Sequence, residues 1–189
     1  PMLLFVGRIQ PLKGLDVAVR TLAELGRNDA QLIVVGGASG VEGAIELARV
    51  EALIQELGLV DRVKFYEPQP HHLLSTFYRA ADVVLVPSRS ESFGLVALEA
   101  AACGIPVVAT AVGGLMNLIE DGKTGFLVPG RDVAGFARYT RRLLDDSLLA
   151  ISMGTAAAHR AQSYSWKSAA LKARSVYTEL LERDLVACS

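Results

Sequence analysis

An α/β fold is predicted: a Rossmann-like doubly wound parallel sheet of about six strands, with helices on both faces and a helical C-terminal tail. Short runs rich in Val, Ile and Leu are apolar at consecutive positions, as strands covered on both faces require. Longer segments of helical period separate these runs, and glycine-bearing loops follow several of them. At 189 residues, with 51% hydrophobic and 21% charged side chains, the chain is long enough to bury one sizeable core.

The first strand is expected near Leu3–Val6 and the first helix near Gly14–Leu25. Strands near Gln31–Val35 and Val63–Tyr66 flank a helix near Glu42–Leu57, in which Ile45, Ala48, Ala52, Leu53 and Leu57 recur as an apolar stripe. Glu46, Arg49, Glu51 and Glu56 lie between them, and Gly58 is a C-terminal stop. A helix near Pro70–Tyr78, a strand near Val83–Val86 and a helix near Gly94–Cys103 come next. Strands near Val107–Ala109 and Gly125–Val128 enclose a short helix near Gly114–Ile119. Beyond Val128 only helical patterns follow, near Val133–Leu144, Ser147–Gln162 and Trp166–Val186. With no repeat, Ser/Gly linker or long charge block, residues 1–189 read as one domain.

Several function classes lose support at once. The chain has 19 Lys and Arg against 20 Asp and Glu, so a broad basic face for nucleic acid is not expected. Its two cysteines, Cys103 and Cys188, provide neither a disulfide framework nor a Cys-x-x-Cys metal pair, and a reduced, cytoplasmic setting is the default. Apolar runs such as Val83–Val86 end after a few residues, far short of the ~20 that cross a bilayer. Pro1-Met2-Leu3-Leu4-Phe5-Val6 lacks a basic flank and is closed by Gly7-Arg8, so it reads as a strand, and a further N-terminal portion is expected before it.

In an open parallel sheet ligands bind beyond the carboxyl ends of the strands, which directs attention to four loops. Gly7-Arg8-Ile9-Gln10-Pro11-Leu12-Lys13-Gly14 places two cations five positions apart after the first strand, suited to an anion or equally to a turn with two solvated charges. It lacks the order of a Walker A loop. Gly36-Gly37 follows the second strand and admits close backbone approach, but alone it also describes a plain turn. Pro87 to Glu99 is the most informative. Its small polar loop opens a helix, so the N–H groups of Phe93, Gly94 and Leu95 are free to hold an anion. The helix from Leu95 is nearly apolar all round, which predicts burial and a partner for Glu99. A ribose diol would serve Glu99 and a sugar hydroxyl Glu91. The plainer alternative has Glu99 in solvent and Glu91 capping the helix. Finally, Val112-Gly113-Gly114 either lines the same crevice or permits tight packing.

Other residues read more simply. His71-His72 without clustered Cys, Asp or Glu is a polar helix start, and His159 is given the same reading. Arg138, Arg141 and Arg142 are compatible with an anionic membrane surface, but a solvated helix face is the simpler reading. Trp166 is expected as a packing anchor.

Taken in order, Gly7-Arg8 with Lys13, the E-x7-E segment from Glu91-Ser92-Phe93-Gly94 to Glu99, Ala102-Cys103-Gly104-Ile105-Pro106, Val112-Gly113-Gly114 and Asp121-Gly122-Lys123-Thr124-Gly125 resemble family 4 retaining glycosyltransferases of GT-B fold. The resemblance covers nearly the whole chain and is to the C-terminal, nucleotide-sugar-binding half. It is strongest to the branch of D-inositol 3-phosphate glycosyltransferases and sucrose-phosphate synthases, through the first loop, Tyr78-Arg79-Ala80-Ala81-Asp82 and the Glu91 segment. What it implies is a UDP-sugar donor, hexosyl transfer with retention, no required cofactor and no specific support for Mg²⁺. Its partner would be an absent N-terminal acceptor domain, toward which residues 165–186 would cross.

By the same resemblance Arg8, Lys13 and Glu91 are the catalytic residues. Arg8 and Lys13 would bind the diphosphate, Glu99 the ribose, and Glu91 the sugar, as a positioning group rather than a nucleophile. Gly7, Gly36, Gly37, Gln69, Ser92, Phe93, Gly94 and Leu95 complete the donor site. The chain departs from its branch at Gln69, where an Arg is common, at Ile105 in place of Thr, and at Asn117 in place of Glu. A nonenzymatic nucleotide or sugar-phosphate module and a GT-B UDP-sugar epimerase half are the alternatives.

Overall fold

A computed structural model describes residues 1–182 and contains a six-stranded, fully parallel sheet. In chain order the elements are β1 (Met2–Val6), α1 (Leu15–Glu24), β2 (Gln31–Val35), α2 (Gly40–Glu56), β3 (Val63–Tyr66), α3 (His71–Ala80), β4 (Val83–Val86) and α4 (Leu95–Ala102). They continue with β5 (Val107–Thr110), α5 (Leu115–Leu118), β6 (Phe126–Val128), α6 (Val133–Asp145), α7 (Ser147–Ala161) and α8 (Trp166–Glu182). The part of the expected last helix beyond Glu182, with Cys188, lies outside the described residues.

The sheet order is β3-β2-β1-β4-β5-β6. The chain builds outward from β1 to one edge, returns to the middle at β4, and builds to the other edge, which is the doubly wound arrangement. Alternation along each central strand divides the core. Leu3 and Phe5 of β1 join Val83 and Leu85 of β4 under α1, α2 and α6, whereas Leu4, Val84 and Val86 face α3, α4 and α5. Both faces are therefore apolar at the centre.

That pattern fails at the edge. Of β3 only Val63 is buried, and Phe65 and Tyr66 are 39% and 43% exposed, contrary to the expectation of a strand covered on both faces. A strand with one neighbour and no helix beyond it has less cover for its side chains.

The helical period predicted for α2 is present, and Leu53 and Leu57 of its stripe pack on the core, but the rest of the buried face is rotated from the predicted one. The buried positions are Gly43, Glu46, Val50, Leu53 and Ile54, while Ile45 is 65% exposed and Ala48 and Ala52 face solvent. Backbone contact sets this rotation: a Cβ on Gly43 would lie 2.8 Å from the Ile9 carbonyl oxygen and 3.0 Å from the Ala38 carbonyl carbon. Only a glycine lets α2 come so close. Glu46, 3% exposed, is carried inward by this rotation and is met by Arg49, whose Nε and Nη2 donate to its two oxygens at 2.8 and 2.7 Å.

Two further expectations are corrected. Trp166 is 90% exposed and anchors nothing, because α8 leaves the body of the domain and its described side chains face solvent over nearly their whole length. Nor are the arginines of α6 merely solvated. Arg141 Nη2 donates to the Glu24 and Leu25 carbonyls at 3.0 and 3.1 Å, satisfying the C-terminal end of α1, and Arg142 stacks over Phe126.

Replacing Gly43 by Ala should test the origin of the α2 rotation. Intrinsic helix propensity alone would stabilise the variant by about 1 kcal/mol. Because the added methyl meets the backbone of Ile9 and Ala38, Gly43→Ala is expected instead to lower the urea unfolding midpoint, by about 1–3 kcal/mol of stability. An unchanged or raised midpoint would show that backbone contact does not set the face.

Candidate functional site

The switch point of the sheet lies between β1 and β4, and the loops that leave these two strands are tied to each other. The Arg89 N–H donates to the Leu12 carbonyl at 2.8 Å, and Lys13 Nζ donates to Glu91 Oε2 at 2.7 Å. The Lys13 and Glu91 side chains are 23% and 16% exposed, so the pair is shielded but still reached by solvent. Glu91 does not cap α4. The N-cap is Gly94, in the left-handed region at φ 101°, with no side-chain cap.

The loop carrying Glu91 is supported from behind by Gly113-Gly114. A Cβ on Gly113 would lie 2.1 Å from the Glu91 carbonyl oxygen, and one on Gly114 would lie 2.4 Å from that of Ser92. The Gly114 N–H donates to the Glu91 carbonyl at 2.8 Å. This second glycine pair therefore acts by close packing, holding the acidic loop in place. Ser92 and Phe93 are exposed beyond it, Phe93 meets Tyr164 edge to face, and Leu95 is 61% exposed, so α4 is not buried all round as its composition suggested. Among the described residues, the N–H groups of Phe93, Gly94 and Leu95 donate to no loop carbonyl.

Arg8 occupies a different wall. With Gly7, Gly36, Gly37, Ser39 and Gln69 it lines a cavity of about 290 Å³ at the ends of β1 and β2. Arg8 is exposed and has no ion-pair or hydrogen-bond partner among the described residues. Gly36 has φ 152°, and a Cβ there would lie 1.9 Å from the Gly7 carbonyl oxygen, so the two loops can run side by side only with glycine at this position. Gln69 Nε2 donates to the Glu67 carbonyl at 2.9 Å, which shapes the loop after β3.

Glu99 faces a second cavity of about 200 Å³, lined also by His71, Ser75, Tyr78 and Cys103, and Leu74 lines both cavities. Its side chain is 29% exposed, neither buried nor free in solvent. Oε2 accepts a hydrogen bond from the Tyr78 hydroxyl at 2.7 Å, and Oε1 lies 3.6 Å from His71 Nδ1. Burial first, then the hydrogen bond to Glu99, holds the Tyr78 phenol well above its ordinary pKa. Burial also raises the Cys103 thiol.

The structure thus joins Lys13 to Glu91, and Arg8 to Gly7, Gly36, Gly37 and Gln69, with Glu99 in the adjoining hollow. Sequence reasoning missed Tyr78, whose apolar helical position concealed the partner that Glu99 required. It also missed a polar network behind the first loop. Asp16 in the first turn of α1 is held by Arg131 from the loop after β6 and lies 3.3 Å from Arg49, which in turn binds Glu46. The hydrogen bonds to Glu46, ahead of those to Asp16, keep the Arg49 pKa above its ordinary value. The network links three elements directly beneath Lys13 and Gly14. Among the described residues no three His, Cys, Asp or Glu side chains form a metal cluster, and no helix is long and apolar enough to cross a membrane.

Known proteins share both sequence and fold with this chain. The family described as glycosyl transferases group 1 matches residues 1–160. A D-inositol 3-phosphate glycosyltransferase of Acidothermus cellulolyticus is 47% identical over 186 residues, covering 95% of the chain and 41% of that protein. The chain therefore spans less than half the length of this relative. Sucrose-phosphate synthase from Thermosynechococcus elongatus superposes with a TM-score of 0.88 at 40% identity, over 96% of the chain and 45% of its own. The Anabaena protein HepE, in complex with UDP-glucose, gives a TM-score of 0.85 at 28% identity, over 94% of the chain and 48% of its own. With the family match running from β1 into α7 and the Rossmann-like fold shared with these GT-B enzymes, the chain belongs to the glycosyl transferases group 1 family.

Proposed function

We propose that this chain is the donor-binding half of a retaining glycosyltransferase that takes a hexosyl group from a UDP-sugar and delivers it to an acceptor held by a second domain. The observation that carries the reading is the union of the β1 and β4 loops at the switch point through Lys13 and Glu91, because it sets a cation and a carboxylate side by side beyond the strand ends. The HepE complexes with UDP-glucose and with UDP and glucose support a UDP-sugar as the donor class.

In this reading Arg8 and Lys13 meet the diphosphate. As the bond from the sugar to its phosphate breaks, negative charge grows on the leaving oxygen, so these cations stabilise the transition state more than the bound donor. The N–H groups of Ser92–Leu95 at the start of α4 face the same charge. Glu91 orients sugar hydroxyls and Glu99 the ribose. Gly36 and Gly37 let the base approach the backbone beside Gln69. The lack of any cysteine framework in the sequence supports a reducing, cytoplasmic setting.

Calorimetric titration with UDP and UDP-glucose, alongside GDP and ADP, tests the assignment. Arg8→Ala and Lys13→Ala are each expected to weaken UDP binding by about tenfold or more, as loss of a charge-assisted contact does. Glu91→Gln should weaken UDP-glucose relative to UDP. Unchanged UDP affinity in both cation variants would sink the diphosphate assignment, and a preference for GDP or ADP would sink the donor class.

The chain alone should bind the donor yet transfer sugar at a small fraction of the rate reached when an acceptor domain is supplied on the same polypeptide. Turnover at an undiminished rate by residues 1–189 would contradict the division of labour between two domains.

A further inference from the structure

Tyr78 is the largest fully buried side chain in the domain whose polar atom faces the candidate site. It is 1% exposed, and its hydroxyl reaches across from α3 to Glu99 Oε2 on α4 at 2.7 Å. An ionised carboxylate offers about four acceptor positions, two on each oxygen. The phenol takes one position on Oε2, and Glu99 lines the cavity of about 200 Å³ beside it. Among the described residues the one cation-capable side chain within 4 Å of Oε1 is His71, at 3.6 Å, beyond hydrogen-bond distance and 88% exposed. Oε1 therefore accepts no hydrogen bond among the described residues.

We propose that Tyr78 is a positioning residue: it grips Glu99 Oε2 and so fixes Oε1 in the orientation that accepts the hydroxyls of a nucleotide ribose diol. The proposal rests on the reading of Glu99 as the ribose group and adds the means by which that carboxylate is pre-organised. A glutamate 29% exposed on a helix surface has three rotatable side-chain bonds, and without the phenol it would distribute among rotamers that point into water. The phenol is suited to the task because a tyrosine hydroxyl stays protonated, and so a donor, across the neutral range. Its ring is clamped in the core cluster formed with Val84, Val86 and Ala100, so the anchor point does not move.

The test compares UDP with 2′,3′-dideoxy-UDP, which lacks the diol and keeps the base and diphosphate. The wild-type chain is expected to prefer UDP by about tenfold or more. Tyr78→Phe removes one oxygen atom and keeps the packing, and it should reduce that preference to within about threefold while dideoxy-UDP affinity stays near the wild-type value. A bond that merely tied α3 to α4 would lower both affinities together and leave their ratio untouched. Glu99→Gln separates the two layers of the argument. If it keeps the preference, or if the wild type shows none, the ribose reading falls and this proposal with it. If it erases the preference and Tyr78→Phe does not, only the positioning role is overturned. Should Tyr78→Phe fail to fold, site-specific 4-fluorophenylalanine at position 78 fills the space of the hydroxyl and cannot donate, and an unchanged UDP to dideoxy-UDP ratio would refute the proposal.

Discussion

Parallel pairing of β1 with β4 is the constraint on which the remaining architecture depends. Its register includes only Leu3 with Val83 and Leu4 with Val84, whereas β1 pairs with β2 at five positions. Beyond that short contact the two central strands send their chains to opposite sides of the sheet, and a crevice opens where they part. Everything with chemical potential in the domain is placed relative to this gap. The loops from β1 and β4 close its floor through the hydrogen bond between Arg89 and Leu12, and the glycine pair after β5 supports the second loop from behind.

Charge placement in the crevice follows from the cost of removing ions from water. Lys13 and Glu91 are each less than one-quarter exposed, and each relieves the desolvation of the other. In the proposed reading, a diphosphate beside Lys13 and sugar hydroxyls on Glu91 would replace this internal pair. Arg8 stands outside that exchange. It is exposed and unpaired among the described residues, so in the proposed reading it would meet an anion without first giving up a partner. The Asp16, Arg49, Glu46 and Arg131 network lies one layer deeper. Its charges balance, and it holds the first turn of α1, which follows directly on Lys13 and Gly14.

The similarity to sucrose-phosphate synthase and to HepE extends over nearly all of this chain but less than half of either relative. The described side chains of α8 are exposed over nearly its whole length. Leu171, Tyr177, Leu180 and Leu181 are 55% to 86% exposed along a helix that stands away from the sheet. Apolar side chains arranged in this way are unusual on a finished surface.

From the sequence by itself came the alternation of strands and helices, because consecutive apolar residues and a 3.6-residue period are local properties that need no partner to be read. The four loops beyond the strand ends were legible for the same reason, and so was the need of Glu99 for a donor. Tertiary structure alone decided who answers that need. Tyr78, Asp16, Arg49 and Arg131 find their partners across helices and loops, and spacing along the chain carries no record of such distances. It also decided which face of α2 is buried, since the backbone approach at Gly43 outweighs the apolar stripe of Ile45, Ala48 and Ala52. Burial at β3 was set in the same way. A side chain's own hydrophobicity states its preference for the interior, but position in the sheet determines whether an interior is there to receive it.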